Sequence, residues 1–146
     1  MQHTDSPAAM QIAAQRGILA FGQDSDMIKF GPKSQLTAIV DNWEPYYEQR
    51  ARDVLAGKWK SEDTWGALKS KLVVMGPYTN MPDDVKALAE KTEAAITNGS
   101  LHPFKCPVVD QSGKAVECKG GDDLDDGQIL SMNFYVKGVD DTMPGK

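Results

Sequence analysis

The chain of 146 residues carries 16 Lys and Arg against 21 Asp and Glu, a formal net charge of −5. This speaks against a nucleic-acid partner, because phosphate contacts need clustered basic side chains that are absent here. The length suits one domain with a real core rather than two. The longest wholly apolar runs, such as Leu72-Val73-Val74-Met75, fall far short of the ~20 residues of a membrane-spanning helix.

In chain order, Ser6 and Pro7 open a helix over residues 8–16 that Gly17 stops. A strand is expected over 18–21, a loop at Lys29-Phe30-Gly31-Pro32, and a second strand over about 35–40. A second helix starts near Trp43 with Pro45 in its first turn, repeats Tyr47, Ala51, Val54 and Leu55 at helical spacing, and stops at Gly57. After a polar stretch over 59–65 comes the third apolar run, 72–75, ended by Gly76-Pro77. The third helix begins at Pro82-Asp83-Asp84 and aligns Val85, Leu88, Ala89, Thr92, Ala95 and Ile96 on one face. Asn98-Gly99 ends it, and the Asn-Gly-Ser sequon there reads as a helix terminator. A hairpin over 108–116, a short helix over 126–132 and a last strand over 133–137 complete an α/β chain. The second and third helices carry apolar faces that about three strands are too few to cover, so part of the packing surface is expected to lie outside the chain.

Cys106 and Cys118 flank the hairpin. With a loop at 111–113, Asp110 faces Lys114 and the cysteines fall opposite each other, which favours a disulfide and an oxidising compartment, with two free thiols as the alternative. A metal or redox pair lacks both C-x-x-C spacing and a nearby third ligand. His3, Asp5 and Ser6 contain the residue types of a catalytic triad, yet three neighbours at a helix start are more simply its cap. His102 has no second imidazole or thiol at ligand spacing. The run Asp122-Asp123-Leu124-Asp125-Asp126-Gly127 resembles a calcium loop, but Leu124 stands where an oxygen ligand is needed and Asn133 where a Glu is needed. With no phosphate loop and no Gly-rich dinucleotide fingerprint, no cofactor or metal is expected.

Asp24, Asp26 and Asp41 follow apolar strand runs, where a carboxylate needs a partner or a ligand; capping of loops, or ion pairs with Lys29 or Lys33, is the plain alternative. Trp43 beside them is either core or a wall for a flat ligand. Ligands of open α/β sheets bind beyond the carboxyl ends of the strands. An acceptor-rich, aromatic site there suits a neutral, hydroxylated or amine-bearing flat molecule better than a phosphate.

The stretches Gln2-His3-Thr4-Asp5-Ser6-Pro7, Phe21-Gly22-Gln23-Asp24-Ser25-Asp26-Met27 and Leu36-Thr37-Ala38-Ile39-Val40-Asp41-Asn42-Trp43 resemble the C-terminal half of the basic membrane protein family. Leu101-His102-Pro103-Phe104 and the run from Leu124 to Phe134 continue the likeness in the same order. These are substrate-binding lipoproteins of bacterial ABC importers, of the purine nucleoside receptor A type. The resemblance implies a periplasmic-binding-protein type I fold, incomplete here, with residues 1–146 supplying one lobe and hinge-crossing elements. A lipoprotein signal and a first lobe would precede Met1; the chain as written lacks an export signal and by itself would stay in the cytosol.

The resemblance further implies a non-enzymatic role. A purine nucleoside or free purine base would be clamped between two lobes and passed to a permease, in the periplasm or lipid-anchored at the cell membrane. Carried over by position, Thr4, Asp5, Asp24, Asp26, Asp41 and Trp43 would meet the ligand. Nucleoside-binding members tend to have a basic residue near the position of Asp41, a departure that brings a free base such as adenine into consideration. The alternatives are the ligand-binding domain of a transcriptional regulator on the same lobes, or a small α/β enzyme for which no base with a partner is found.

Overall fold

The computed structural model describes residues 6–143; the expected ligand residues Thr4 and Asp5, with His3, lie outside the described residues. The chain divides into two units, residues 1–98 and 99–146.

In the first unit, helix α1 (Ala8–Arg16) begins where the Ser6 hydroxyl accepts the Ala8 N–H at 3.2 Å. It ends at Gly17, whose left-handed φ of +64° lets its N–H reach the carbonyls of Ala13 and Ala14. Met10 and Ala13, one helical turn apart, are its buried residues. The Ile18 N–H also closes the helix, donating to the Ala13 carbonyl at 3.0 Å. Strand β1 therefore starts later than the apolar run implied, at Ala20, and runs on through polar residues (Ala20–Asp24), because strand limits follow available partners rather than hydrophobicity alone.

A 3₁₀ turn (Ile28–Phe30) occupies the expected loop and leads into β2 (Gln35–Asp41). Strands β1 and β2 are parallel, with Gly22 opposite Ala38 and Asp24 opposite Val40. The short β3 (Val73–Met75) pairs antiparallel on the other side of β2, Asp41 opposite Val73. Gly22 is required by close approach: a Cβ there would stand 2.6 Å from that of Ala38.

Helix α2 (Glu44–Leu55) follows β2, and α3 (Asp83–Thr97) follows β3. As the pattern implied, their apolar faces are incompletely covered, although Ala89, Thr92, Ala95 and Ile96 of α3 are half-buried. Tyr47, Val54 and Leu55 are 64%, 59% and 89% exposed, and Val85 and Leu88 are exposed as well. Between the sheet and α3 lie two cavities of about 310 and 330 Å³, lined by residues including Phe21 and Thr37 on the sheet and Ala89 on the helix. No helix among the described residues is long and apolar enough to cross a membrane.

The second unit is built on the hairpin in the register that the sequence implied. The Asp110 N–H donates to the Lys114 carbonyl at 2.9 Å and that of Val116 to the Val108 carbonyl at 2.8 Å, which aligns Cys106 with Cys118; these two are disulfide-bonded, with Cα atoms 6.5 Å apart. The Asp110 carboxylate accepts from the hydroxyl and N–H of Ser112 and the N–H of Lys114, and these bonds hold it below the usual carboxylate range. Asp125 and Gln128 form a capping box at the start of α4 (Asp126–Leu130), which stops two residues earlier than expected. The expected last strand shrinks to a single bridge between Val136 and Asp110, after which the chain turns at Gly138, at φ +102°.

Candidate functional site

Parallel pairing places the carboxyl ends of β1 and β2 at one edge of the sheet. Asp24 closes β1 opposite Val40, and Asp41, the next residue along, closes β2. Asp24 adopts a left-handed φ of +64°, uncommon for a residue with a side chain, and its carboxylate accepts the Gln23 side-chain amide at 3.1 Å. The chain thus reverses direction at the strand end. Asp41 is exposed. Two residues on, Trp43 is 43% exposed and sits against the first turn of α2. Its ring meets Tyr46 edge-on at 5.7 Å and lies tilted 31° to Tyr47 at 5.9 Å. The Arg50 guanidinium stands 5.3 Å above the Tyr46 ring while pairing with Asp53 and Glu62.

Asn42, between the acid and the indole, ties this edge to the segment entering β3. Its N–H donates to the Leu72 carbonyl at 2.8 Å and its side-chain amide to that of Lys71 at 2.9 Å. Beside it lies a cavity of about 220 Å³ lined by residues including Tyr46, Trp65 and Lys71. These three were not foreseen. Tyr46 and Tyr47 stand three and four residues after Trp43, a spacing that signals one helical face. Trp65 and Lys71 come from irregular chain about twenty residues further on and carried no signal.

Asp26 is placed differently. One of its carboxylate oxygens accepts the Gln35 side-chain amide at 2.7 Å and the Ile28 N–H at 3.0 Å. Lys29, considered as an ion-pair partner for these acids, has its ammonium 4.9 Å above the Phe30 ring. In the second unit His102 lies 3.4 Å from the Asp123 carboxylate. No group of three or more His, Cys, Asp or Glu among the described residues is arranged to hold a metal ion.

Away from this edge, Tyr78 donates to the Glu93 carboxylate at 3.0 Å. Burial first, then this bond and the charges of Glu93 and Glu90, push its phenol up to about 12.

Residues 1–102 match the family model described as ABC transporter substrate-binding protein PnrA-like. Over 143 residues, 98% of the chain, the sequence is 59% identical to a purine-binding protein of Brucella abortus, of which it covers 41%. It is 25% identical over 144 residues to a putative ABC transporter glucose-binding protein of Haloferax volcanii, covering 98% of this chain and 34% of the relative. The chain thus spans about two fifths of the length of these relatives or less. A crystal structure described as a transcriptional activator of the comK gene from Bacillus halodurans superposes with a TM-score of 0.58 over 66% of this chain and 35% of its own. At 19% identity it shares the fold alone. The three-stranded α/β arrangement is consistent with part of a periplasmic-binding-protein-like domain, and the family and relatives are named for binding rather than catalysis. With the family model matched over more than half of its length, the chain belongs to the PnrA-like family of ABC transporter substrate-binding proteins.

Proposed function

We propose that this chain is the C-terminal portion of a two-lobed importer component that captures a purine nucleoside or a free purine base and delivers it to an ABC permease. It would work on the outer side of the cytoplasmic membrane, held there by a lipid anchor. The observation that carries this reading is that Asp24 and Asp41 close the adjacent parallel strands β1 and β2 at the same end of the sheet, with Trp43 two residues after Asp41. An ionised carboxylate accepts hydrogen bonds only, so it fits an exocyclic amine or ribose hydroxyls and repels phosphate. Trp43 offers a ring face for a flat base, and the backbone amides at the start of α2 beside it suit a ring acceptor atom. In this proposal Asp41 takes the amine, Asp24 or Asp26 the ribose hydroxyls where a ribose is present, and Thr4 and Asp5 complete the ligand set. The 59% identity to a protein named for purine binding supports the ligand class; whether base or nucleoside is preferred turns on Asp41.

The test is calorimetry with adenine, adenosine, hypoxanthine, guanosine and glucose. It uses the chain alone and complemented by the part of the Brucella relative that it does not cover. Saturable heat with a purine and none with glucose is the expected result. Binding of glucose alone, or of no purine in either form, would overturn the reading.

A further inference from the structure

Asp24 and Asp26 stand two residues apart, yet the fold gives them different places. After the reversal at Asp24 the chain doubles back over β1. A Cβ on Gly22 would stand 3.0 Å from the Ser25 carbonyl oxygen and equally 3.0 Å from the Gln35 side-chain oxygen, so the returning chain and the Gln35 amide both lie against Gly22. Gly22 is two residues behind Asp24 on β1, a distance of about 6–7 Å at the rise of a strand. The side chain of Gln35 is fully buried, and both ends of its amide are used: its oxygen accepts the Met27 N–H at 3.0 Å and its nitrogen donates to Asp26 at 2.7 Å. Its backbone is fixed too, the carbonyl accepting from the Thr79 hydroxyl at 2.6 Å and the Asn80 side-chain amide at 2.7 Å. Asp26 in turn accepts the Ile28 N–H with the same oxygen.

We infer that Gln35 and Asp26 are positioning residues rather than ligand contacts: together they clamp the returning loop against Gly22, which holds the reversal at Asp24 at the carboxyl end of β1. This rests on the purine-binding reading for its ligand but not for its geometry. A buried amide paired at both ends is set firmly, because breaking either bond strands a polar group away from water.

The discriminating pair of variants is Gln35→Glu and the double variant Asp26→Asn/Gln35→Glu. In the single variant a carboxylate replaces the donor facing Asp26, setting two acceptors against each other. In the double variant the new Asn nitrogen donates to the new Glu, which keeps its other oxygen for the Met27 N–H; the Ile28 N–H loses its acceptor, because one Asp26 oxygen serves both bonds. Amide exchange at Met27 and Ile28 is read by NMR on the chain itself, and purine affinity by the calorimetry above. Gln35→Glu should accelerate both amides and weaken the purine at least about tenfold, and the double variant should recover the protection of Met27 and the affinity, as expected for a coupled pair. Unchanged exchange in Gln35→Glu, or no recovery in the double variant, overturns the clamp. Recovered amide protection without recovered affinity overturns the assignment of Asp26, since its charge would then be needed at the ligand. Should the wild type bind no purine, the functional reading fails while the exchange measurements still confirm or remove the clamp.

Discussion

Removing the bridge between Cys106 and Cys118, by reduction or by paired Cys→Ser substitution, should release the second unit while leaving the first intact. The cysteines are separated by 12 residues, and closing a loop of that size in the unfolded chain stabilises the folded one by about 3 kcal/mol in the chain-entropy model. The second unit has little else of that size. Leu124 is its one buried hydrophobic side chain among the described residues, and burying a leucine contributes only about 1.5–3 kcal/mol. A segment of about fifty residues with so small a core depends on its cross-link. Hydrogen exchange followed by mass spectrometry or NMR resolves the effect within one sample. The amides of Asp110, Val116 and Lys137, bonded within the second unit, should exchange about a hundredfold faster on reduction, while that of Gly76, bonded to the Ala38 carbonyl in the first unit, serves as the internal control. Unchanged protection over residues 108–116 in fully reduced protein would refute the reasoning.

Trp43→Ala should weaken the purine by roughly 1–3 kcal/mol, the range for loss of base stacking, and calorimetry showing unchanged affinity for every purine would move the site elsewhere. Asp41→Asn keeps the shape and one acceptor but loses the charge, so it should weaken adenine and adenosine more than hypoxanthine, which lacks the amine; equal losses would mean that Asp41 does not read it. Tyr78 has a folded pKa of about 12 against an ordinary 10.0. Its contribution to stability is therefore fully present below pH 10 and lost as pH rises through about 12, and in thermal unfolding Tyr78→Phe should flatten that decline. A slope identical to that of the wild type would remove Tyr78 from the account. The uncovered face of Tyr47, Val54 and Leu55 should make the isolated chain self-associate in sedimentation velocity, and Val54→Glu with Leu55→Lys should reduce this; a monodisperse wild-type monomer would contradict it.

Much of the local structure could be read from the chain alone, because it is set by residues close in sequence. Gly17 and the Asn98-Gly99 pair stop their helices through local backbone conformation, and the hairpin register follows from a Gly-containing turn that leaves Asp110 facing Lys114. The family resemblance was legible for the same reason: it is carried by contiguous stretches that contain Asp24, Asp26, Asp41 and Trp43. Periodicity could not separate Ile18 and Leu19 from the strand that follows, since an apolar run looks alike whether it pairs or closes a helix. Nor could it foresee that the final pairing is a single bridge.

The site needed the tertiary structure. Asp24 and Asp41 become neighbours only because β1 and β2 pair in parallel, and Trp65 and Lys71 join Tyr46 only because β3 returns antiparallel beside β2. Asp24 and Asp26 are the same residue type in the same short run, and no rule of spacing distinguishes them. They part company because a glycine without a side chain leaves room for the chain to double back, and because the amide of Gln35, nine residues after Asp26, is buried where it can hold one of the two carboxylates.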